Sequence, residues 1–170
     1  MNLKRTWLAV PAVFALGLSA CSGGTADSAT TGEGASDAII TTNGSEPQNP
    51  LIPADTNETG GGKILDLIFA GLVYYDAKGA VHNEMAEKIE PNEDSSVWTI
   101  TLKKGQKFSD GTEVKARNFV EAWKKGASEA MLSSFFFEPI QGADEEGAGD
   151  LTGLEVVDDY TFTVTLKAPT

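Results

Sequence analysis

Val97-Trp98-Thr99-Ile100-Thr101-Leu102, Lys103-Lys104-Gly105, Gln106-Lys107-Phe108-Ser109-Asp110-Gly111-Thr112-Glu113-Val114, then Lys115-Ala116-Arg117-Asn118-Phe119-Val120-Glu121-Ala122-Trp123 is the stretch whose reading decides the fold. Trp98, Ile100 and Leu102 alternate with Val97, Thr99 and Thr101, which is the period of a half-buried strand. Lys104-Gly105 and Asp110-Gly111 are turn signals, because glycine reaches positive φ without a Cβ clash. Beyond the second turn the period changes. Ala116, Phe119, Val120 and Trp123 recur at helical spacing, and Gly126 is placed to end that helix. The segment therefore reads as strand, turn, short extended piece, turn and helix.

Such a block fits a hairpin and helix in any α+β domain, but its wording is more specific. Trp98 to Thr112, followed by Asn118-Phe119-Val120-x-Ala122-Trp123, resembles the signature of the oligopeptide- and dipeptide-binding proteins, the large solute-binding proteins of ABC importers (family 5). Lys115 and Asn118 stand where that family usually has Thr and Asp. Loss of a Thr N-cap is expected to weaken the helix start by about 1 kcal/mol. Two further stretches carry the likeness: Asn43-Gly44-Ser45-Glu46-x-Gln48, and Phe69-x-Gly71-Leu72-Val73-x-x-Asp76-x-x-Gly79 leading to Met85-Ala86-Glu87-Lys88-Ile89. The resemblance implies a periplasmic-binding-protein type II-like, α+β fold. Only part of the first lobe is expected here, as a mixed sheet with hairpins and flanking helices. The chain is then the N-terminal part of a larger protein or a truncated gene product.

Charge narrows the function. The 170 residues hold 25 acidic and 13 basic side chains, a net charge of −12. Nucleic-acid binding needs a basic face, so it is disfavoured. One cysteine excludes an internal disulfide, and one histidine, His82 in the turn-like run Ala80 to Asn83, makes a His/Cys metal site close to excluded. A carboxylate site for calcium is left open, although the spacing of an EF-hand loop is absent. No Ser-His-Asp order forms around a lone His82, and no carboxylate pair stands apart from the general acidity. The chain reads as a non-enzyme without cofactor or metal.

The N-terminus has its own logic. Lys4 and Arg5 precede an apolar run from Trp7 to Leu18, so residues 1–20 read as a signal peptide. The run is short for a bilayer span. Leu18-Ser19-Ala20-Cys21 matches the bacterial lipobox, which implies diacylglycerol on the Cys21 thiol and cleavage before it. The plainer alternative is an ordinary signal peptide with a chance cysteine. Residues 21–37 are rich in Gly, Ser, Thr and Ala and read as a flexible tether. The resemblance implies that residues 38–170 are an incomplete solute-binding domain. Ala38-Ile39-Ile40-Thr41-Thr42 is expected as its first strand, and Asn43 to Leu51, with Pro47 and Pro50, as irregular chain.

Gly60-Gly61-Gly62 reads as bare backbone just before a helix, with amides free to approach something. It lacks the spacings of a phosphate loop, and no apolar strand precedes it. A plain flexible loop is the alternative. In the resembled family the matching segment pairs its backbone with an extended peptide, which places the ligand at Asn57, Glu58 and Thr59. Ile64, Leu65, Ile68, Phe69 and Leu72 show helical spacing. Tyr74 and Tyr75 precede a turn at Asp76 to Gly79, and core or rim packing suits them better than ligand stacking. Phe135-Phe136-Phe137 lies in a loop or helix end, where the family supplies an aromatic that covers the peptide; Phe135 and Phe136 are the candidates, against core packing as the alternative. Asp144-Glu145-Glu146 reads as a solvated acidic loop. Leu154 to Val157, Asp158-Asp159 and Tyr160 to Leu166 form a hairpin with Tyr160, Phe162, Val164 and Leu166 on one face.

The resemblance implies a lipid-anchored, extracytoplasmic, monomeric protein that captures oligopeptides and delivers them to ABC permease and ATPase subunits. The same scaffold bound to nickel, haem or an oligosaccharide is one alternative. A surface lipoprotein with a structural or adhesive role is another.

Overall fold

The computed structural model describes Thr41 and residues 43–170. The expected signal peptide, Cys21, the tether and all but Thr41 of the expected first strand lie outside the described residues. Thr41 itself belongs to no element. The described residues from Asn43 onward form one compact unit. Irregular chain runs through the two prolines to a 3-10 turn at Pro53–Asp55, and α1 (Thr59–Ile68) follows. Then come β1 (Val73–Tyr75), β2 (Val81–Asn83), β3 (Ala86–Pro91), β4 (Val97–Leu102), α2 (Ala116–Ser128), a 3-10 turn at Ser134–Phe137, β5 (Leu154–Asp158) and β6 (Thr161–Thr165).

β1 and β2 make a two-stranded hairpin, and the other strands make a sheet in the order β3-β4-β6-β5. Every pairing among the described strands is antiparallel. The parallel pairing that a mixed sheet implies is not found among them. Register follows the alternation in sequence: Ile100 faces Phe162 and Ile89, while Thr99 faces Thr163 and Glu90. The first set points to α2 and the core, and the second makes the polar outer face.

Phe162 is fully buried at the centre of that core, with Ile100, Leu102, Val164 and Leu154 around it. α2 covers this face. Phe119 stacks on Phe162 at 6.1 Å between ring centroids, and Trp123 meets it edge-on at 5.8 Å. Ile140 and Leu151, from the long connection after α2, complete the cluster.

Four local expectations are corrected. Gly126 does not end α2, which runs to Ser128. Gly126 is buried, and a Cβ there would lie 3.0 Å from the Ala54 Cβ and 3.2 Å from the Phe137 ring, so its smallness serves packing. His82 lies in β2 and not in a turn; its ring stacks on Tyr74 at 5.2 Å, and its Nε2 is 3.1 Å from Asp76 Oδ2. The helical spacing of Ile64 to Leu72 overshoots: α1 closes at Ile68, where the Phe69 amide donates to the Leu65 carbonyl. Gly60, Gly61 and Gly62 are the first turn of α1 and do not precede it.

The start of α2 shows how a missing cap is met. A lysine side chain has no acceptor. Lys115 instead donates its backbone amide to Asn118 Oδ1 at 2.8 Å, while the Asn118 amide uses the Lys115 carbonyl at 2.9 Å. The Ala116 amide takes the carbonyl of Asp159, in the β5–β6 turn, at 2.8 Å, and Lys115 Nζ pairs with Asp159 Oδ2 at 2.6 Å. Tertiary structure supplies what the local sequence lacks.

Candidate functional site

The predicted ligand residues come from two segments far apart in sequence, and hydrogen bonds join those segments at one seam. The Ser133 amide donates to the Ala54 carbonyl at 2.9 Å, and Ser133 Oγ to the Thr56 carbonyl at 3.3 Å. The Leu132 amide reaches Asp55 Oδ1 at 3.3 Å. Thr56 is buried, and its hydroxyl donates to the Pro50 carbonyl at 2.5 Å. Asn57, Glu58 and Thr59 leave the seam on one side, and Phe135 and Phe136 leave it on the other.

On the first side, Glu58 is the N-cap of α1. Both its carboxylate oxygens accept from the Gly61 amide, at 3.0 and 2.9 Å, and Oε1 also accepts from the Gln48 amide at 3.1 Å. These donors hold the Glu58 carboxyl below the usual carboxylate range, the Gly61 amide most, against a smaller opposing effect of lost hydration. The Gly62 amide is committed to the Glu58 carbonyl at 2.9 Å. The expectation that the glycine amides stand free is therefore overturned for Gly61 and Gly62. The glycines serve approach: a Cβ on Gly61 would lie 2.5 Å from Glu58 Oε1 and from Thr56 Cγ2, and one on Gly60 2.8 Å from Ser45 Oγ. Asn57 and Thr59 flank the cap and are exposed.

On the second side, the 3-10 turn at Ser134–Phe137 divides its three aromatics. Phe137 turns inward, its ring 6.2 Å from Trp123. Phe135 and Phe136 are 51% and 70% exposed and lie 4.2 Å apart, centroid to centroid. Core packing thus claims Phe137 alone. Ser134 is buried beneath them and donates to the Glu146 carbonyl at 3.1 Å. Gly147, at φ +78°, passes so close to the Ser134 carbonyl that any side chain there would collide. Asp144 folds the acidic loop on itself, its Oδ1 accepting from the Glu146 and Ala148 amides at 2.9 Å each.

The sequence offers the two candidate segments, and gives little sign of the hydrogen-bonded seam that joins them. Thr56, Ser133 and Ala54 are small residues with no pattern of their own, and their role exists only once the chain has folded back. The presence of two serines immediately before an aromatic run was the one available signal.

At the opposite end of α2 a shallow, open depression of about 490 Å³ is lined by Thr101, Lys104, Asp158, Asp159, Tyr160 and Thr161. Tyr160 donates its hydroxyl to Glu113 Oε1 at 2.6 Å, a bond that raises the phenol above its ordinary pKa, and Lys104 Nζ lies 5.3 Å from the centre of its ring. This is a brace between the β5–β6 turn and the start of α2, and it contains no predicted site residue. Among the described residues, no group of three or more His, Cys, Asp or Glu is placed to hold a metal ion, and no helix is long and apolar enough to cross a membrane.

Solved solute-binding proteins of the type II periplasmic kind match this fold. An OppA of Listeria monocytogenes, bound to peptide, matches with a TM-score of 0.64 at 27% identity over 69% of this chain and 24% of its own. The substrate-binding domain of an oligopeptide ABC transporter from Bacillus anthracis matches with a TM-score of 0.67 at 27% identity, over 76% of this chain and 26% of its own. Residues 80–170 match the bacterial extracellular solute-binding proteins, family 5 Middle, and the chain belongs to that family. The oligopeptide-binding protein OppA of Bacillus subtilis is 32% identical over 99% of this chain, and the periplasmic oligopeptide-binding protein OppA of Escherichia coli is 34% identical over 77% of it. The chain spans 33% and 25% of the lengths of these two relatives.

Proposed function

We propose that this chain is the N-terminal part of a lipid-anchored, extracytoplasmic solute-binding protein that captures oligopeptides for import by an ABC permease and its ATPase. The observation that carries this reading is its 32% identity, across 99% of its length, to a protein named for oligopeptide binding. The geometry fits. An extended peptide is gripped through its backbone, as one strand grips another, and such a grip tolerates varied side chains. Asn57 and Thr59 are exposed on either side of the Glu58 cap at the start of α1, and Phe135 and Phe136 offer apolar cover from across the seam. The Glu58 carboxylate already receives amides from its own chain, so its part is to hold that edge in shape. The peptide amino group needs its acidic partner elsewhere. Acylation of Cys21 is the proposed anchor, residues 1–20 the leader removed before it, and residues 21–37 the tether that lets the monomeric domain stand away from the membrane.

The test uses the protein purified from its own membranes. Its melting temperature is followed with and without a pool of short peptides, because a ligand that binds only the folded state raises it. A rise with peptides supports the proposal. A protein that ignores peptides and melts higher with another solute overturns the substrate. For the anchor, a clickable fatty acid fed to the cells should label the protein, and Cys21→Ser should abolish the label and release the protein. Release without loss of label would overturn the assignment to Cys21.

A further inference from the structure

We infer that Gly126 is a positioning residue of the candidate site: its missing side chain lets Ala54 and Phe137 close on α2 together, and so sets the spacing between Asn57–Thr59 and Phe135–Phe136. That this spacing serves a peptide rests on the reading proposed above. That Gly126 sets it rests on the packing alone.

Gly126 is buried in the last turn of α2. A Cβ built there would lie 3.0 Å from the Ala54 Cβ and 3.2 Å from Phe137 Cε2. A relaxed carbon–carbon contact is about 3.5–4.0 Å, so both segments already rest against the bare backbone. Each neighbour is a short step along the chain from candidate residues. Ala54 leads through Asp55 and Thr56 to Asn57, and Phe137 directly follows Phe135 and Phe136. The Gly126 carbonyl also accepts from the Met131 amide at 3.0 Å, at the turn that leads into Leu132 and Ser133. Those two residues donate their amides to Asp55 Oδ1 and to the Ala54 carbonyl. Hydrogen bonds draw the two segments together, and the absent side chain leaves room for them to meet.

A methyl group at position 126 pushes Ala54, Phe137 or both by a few tenths of an ångström. A close-packed interior passes such a shift on to its neighbours. The seam bonds from Leu132 to Asp55 and from Ser133 Oγ to Thr56, at 3.3 Å, are already long and are the first to be lost. Ala54→Gly removes the carbon that the methyl group meets first, and gives the room back.

The test compares the protein purified from its own membranes in three forms: the native sequence, Gly126→Ala, and Gly126→Ala combined with Ala54→Gly. Hydrogen exchange at the Leu132 and Ser133 amides reads the seam with no ligand present. The concentration of the short-peptide pool that half-saturates the melting shift reads the site. In Gly126→Ala both amides are expected to exchange about tenfold faster, and half-saturation to need about tenfold more peptide. The peptide-free melting temperature stays close to native, because the better helix propensity of alanine offsets the crowding. Adding Ala54→Gly is expected to return both readouts to within about twofold of native. Seam amides that keep their native rate in Gly126→Ala, or that Ala54→Gly does not restore, overturn the positioning role. So does faster exchange along the whole of α2 with a lowered melting temperature, which marks a general loosening. A seam that opens while half-saturation holds overturns its link to the site. A native protein whose melting ignores peptides overturns the peptide reading, and the exchange rates then decide the role of Gly126 by themselves.

Discussion

α1 and α2 carry similar apolar spacing, yet they are held in place by different means. α2 lays Ala116, Val120 and Ala127 against the sheet and seats Phe119 and Trp123 around Phe162. α1 buries Leu65, while Leu67, Ile68 and Phe69 are 86%, 60% and 51% exposed. The ends reverse the pattern. α2 begins on a lysine and borrows a carbonyl from Asp159, whereas α1 begins on a glutamate that caps it directly. An amphipathic stripe therefore says that a helix forms, but not how much of the stripe its own domain covers. Where the stripe is uncovered, the cap and the close approach of loops carry the load.

The contrast can be broken from the core side first. Phe162→Ala removes the ring on which α2 sits and should cost about 3–5 kcal/mol in urea unfolding. A loss below about 1 kcal/mol would mean that α2 does not depend on that contact. Next comes Gly61→Ala. Intrinsic helix propensity predicts a gain of nearly 1 kcal/mol. A methyl group 2.5 Å from the buried Thr56 Cγ2 and from Glu58 Oε1 predicts a loss, about 1–3 kcal/mol by overpacking. A stabilised variant would show that the first turn of α1 yields easily.

Third is the cap itself. The Glu58 carboxyl titrates lower in the folded chain than in the unfolded one. Its contribution is therefore complete above the unfolded value and disappears as pH falls through the folded one. Hydrogen exchange at Gly61, corrected for intrinsic rate, should speed up over that acidic window in the native sequence and stay level in Glu58→Gln. Parallel profiles for the two would assign the pH dependence to another group. The smallest effect is expected at Leu67→Gln, within about 0.5 kcal/mol, since the side chain is exposed and the helix propensities are alike. A larger loss would show that the face is covered in solution.

How much of this was legible in the sequence follows from whether the cause was local. β4, α2 and the β5–β6 hairpin were read correctly because alternation and helical spacing are properties of neighbouring residues. β3 went unread: Glu87, Lys88, Glu90 and Pro91 hide its alternation, and its place is set by pairing with β4. Gly126 was misread because its neighbours, Ala54 and Phe137, lie outside its helix. Glu58 was chosen as a ligand contact, but its role as a cap depends on α1 starting earlier than the apolar spacing suggests. The two candidate segments could be named from the sequence, but the hydrogen-bonded seam between them could not, since no residue there differs from ordinary loop composition.

That seam also sets how the protein responds to temperature. Burial around Phe162 draws its strength from the release of water, a driving force that fades on cooling. The joints from Ala54 and Thr56 to Ser133, and from Asp55 to Leu132, are polar and enthalpic, and cold does not weaken them in the same way.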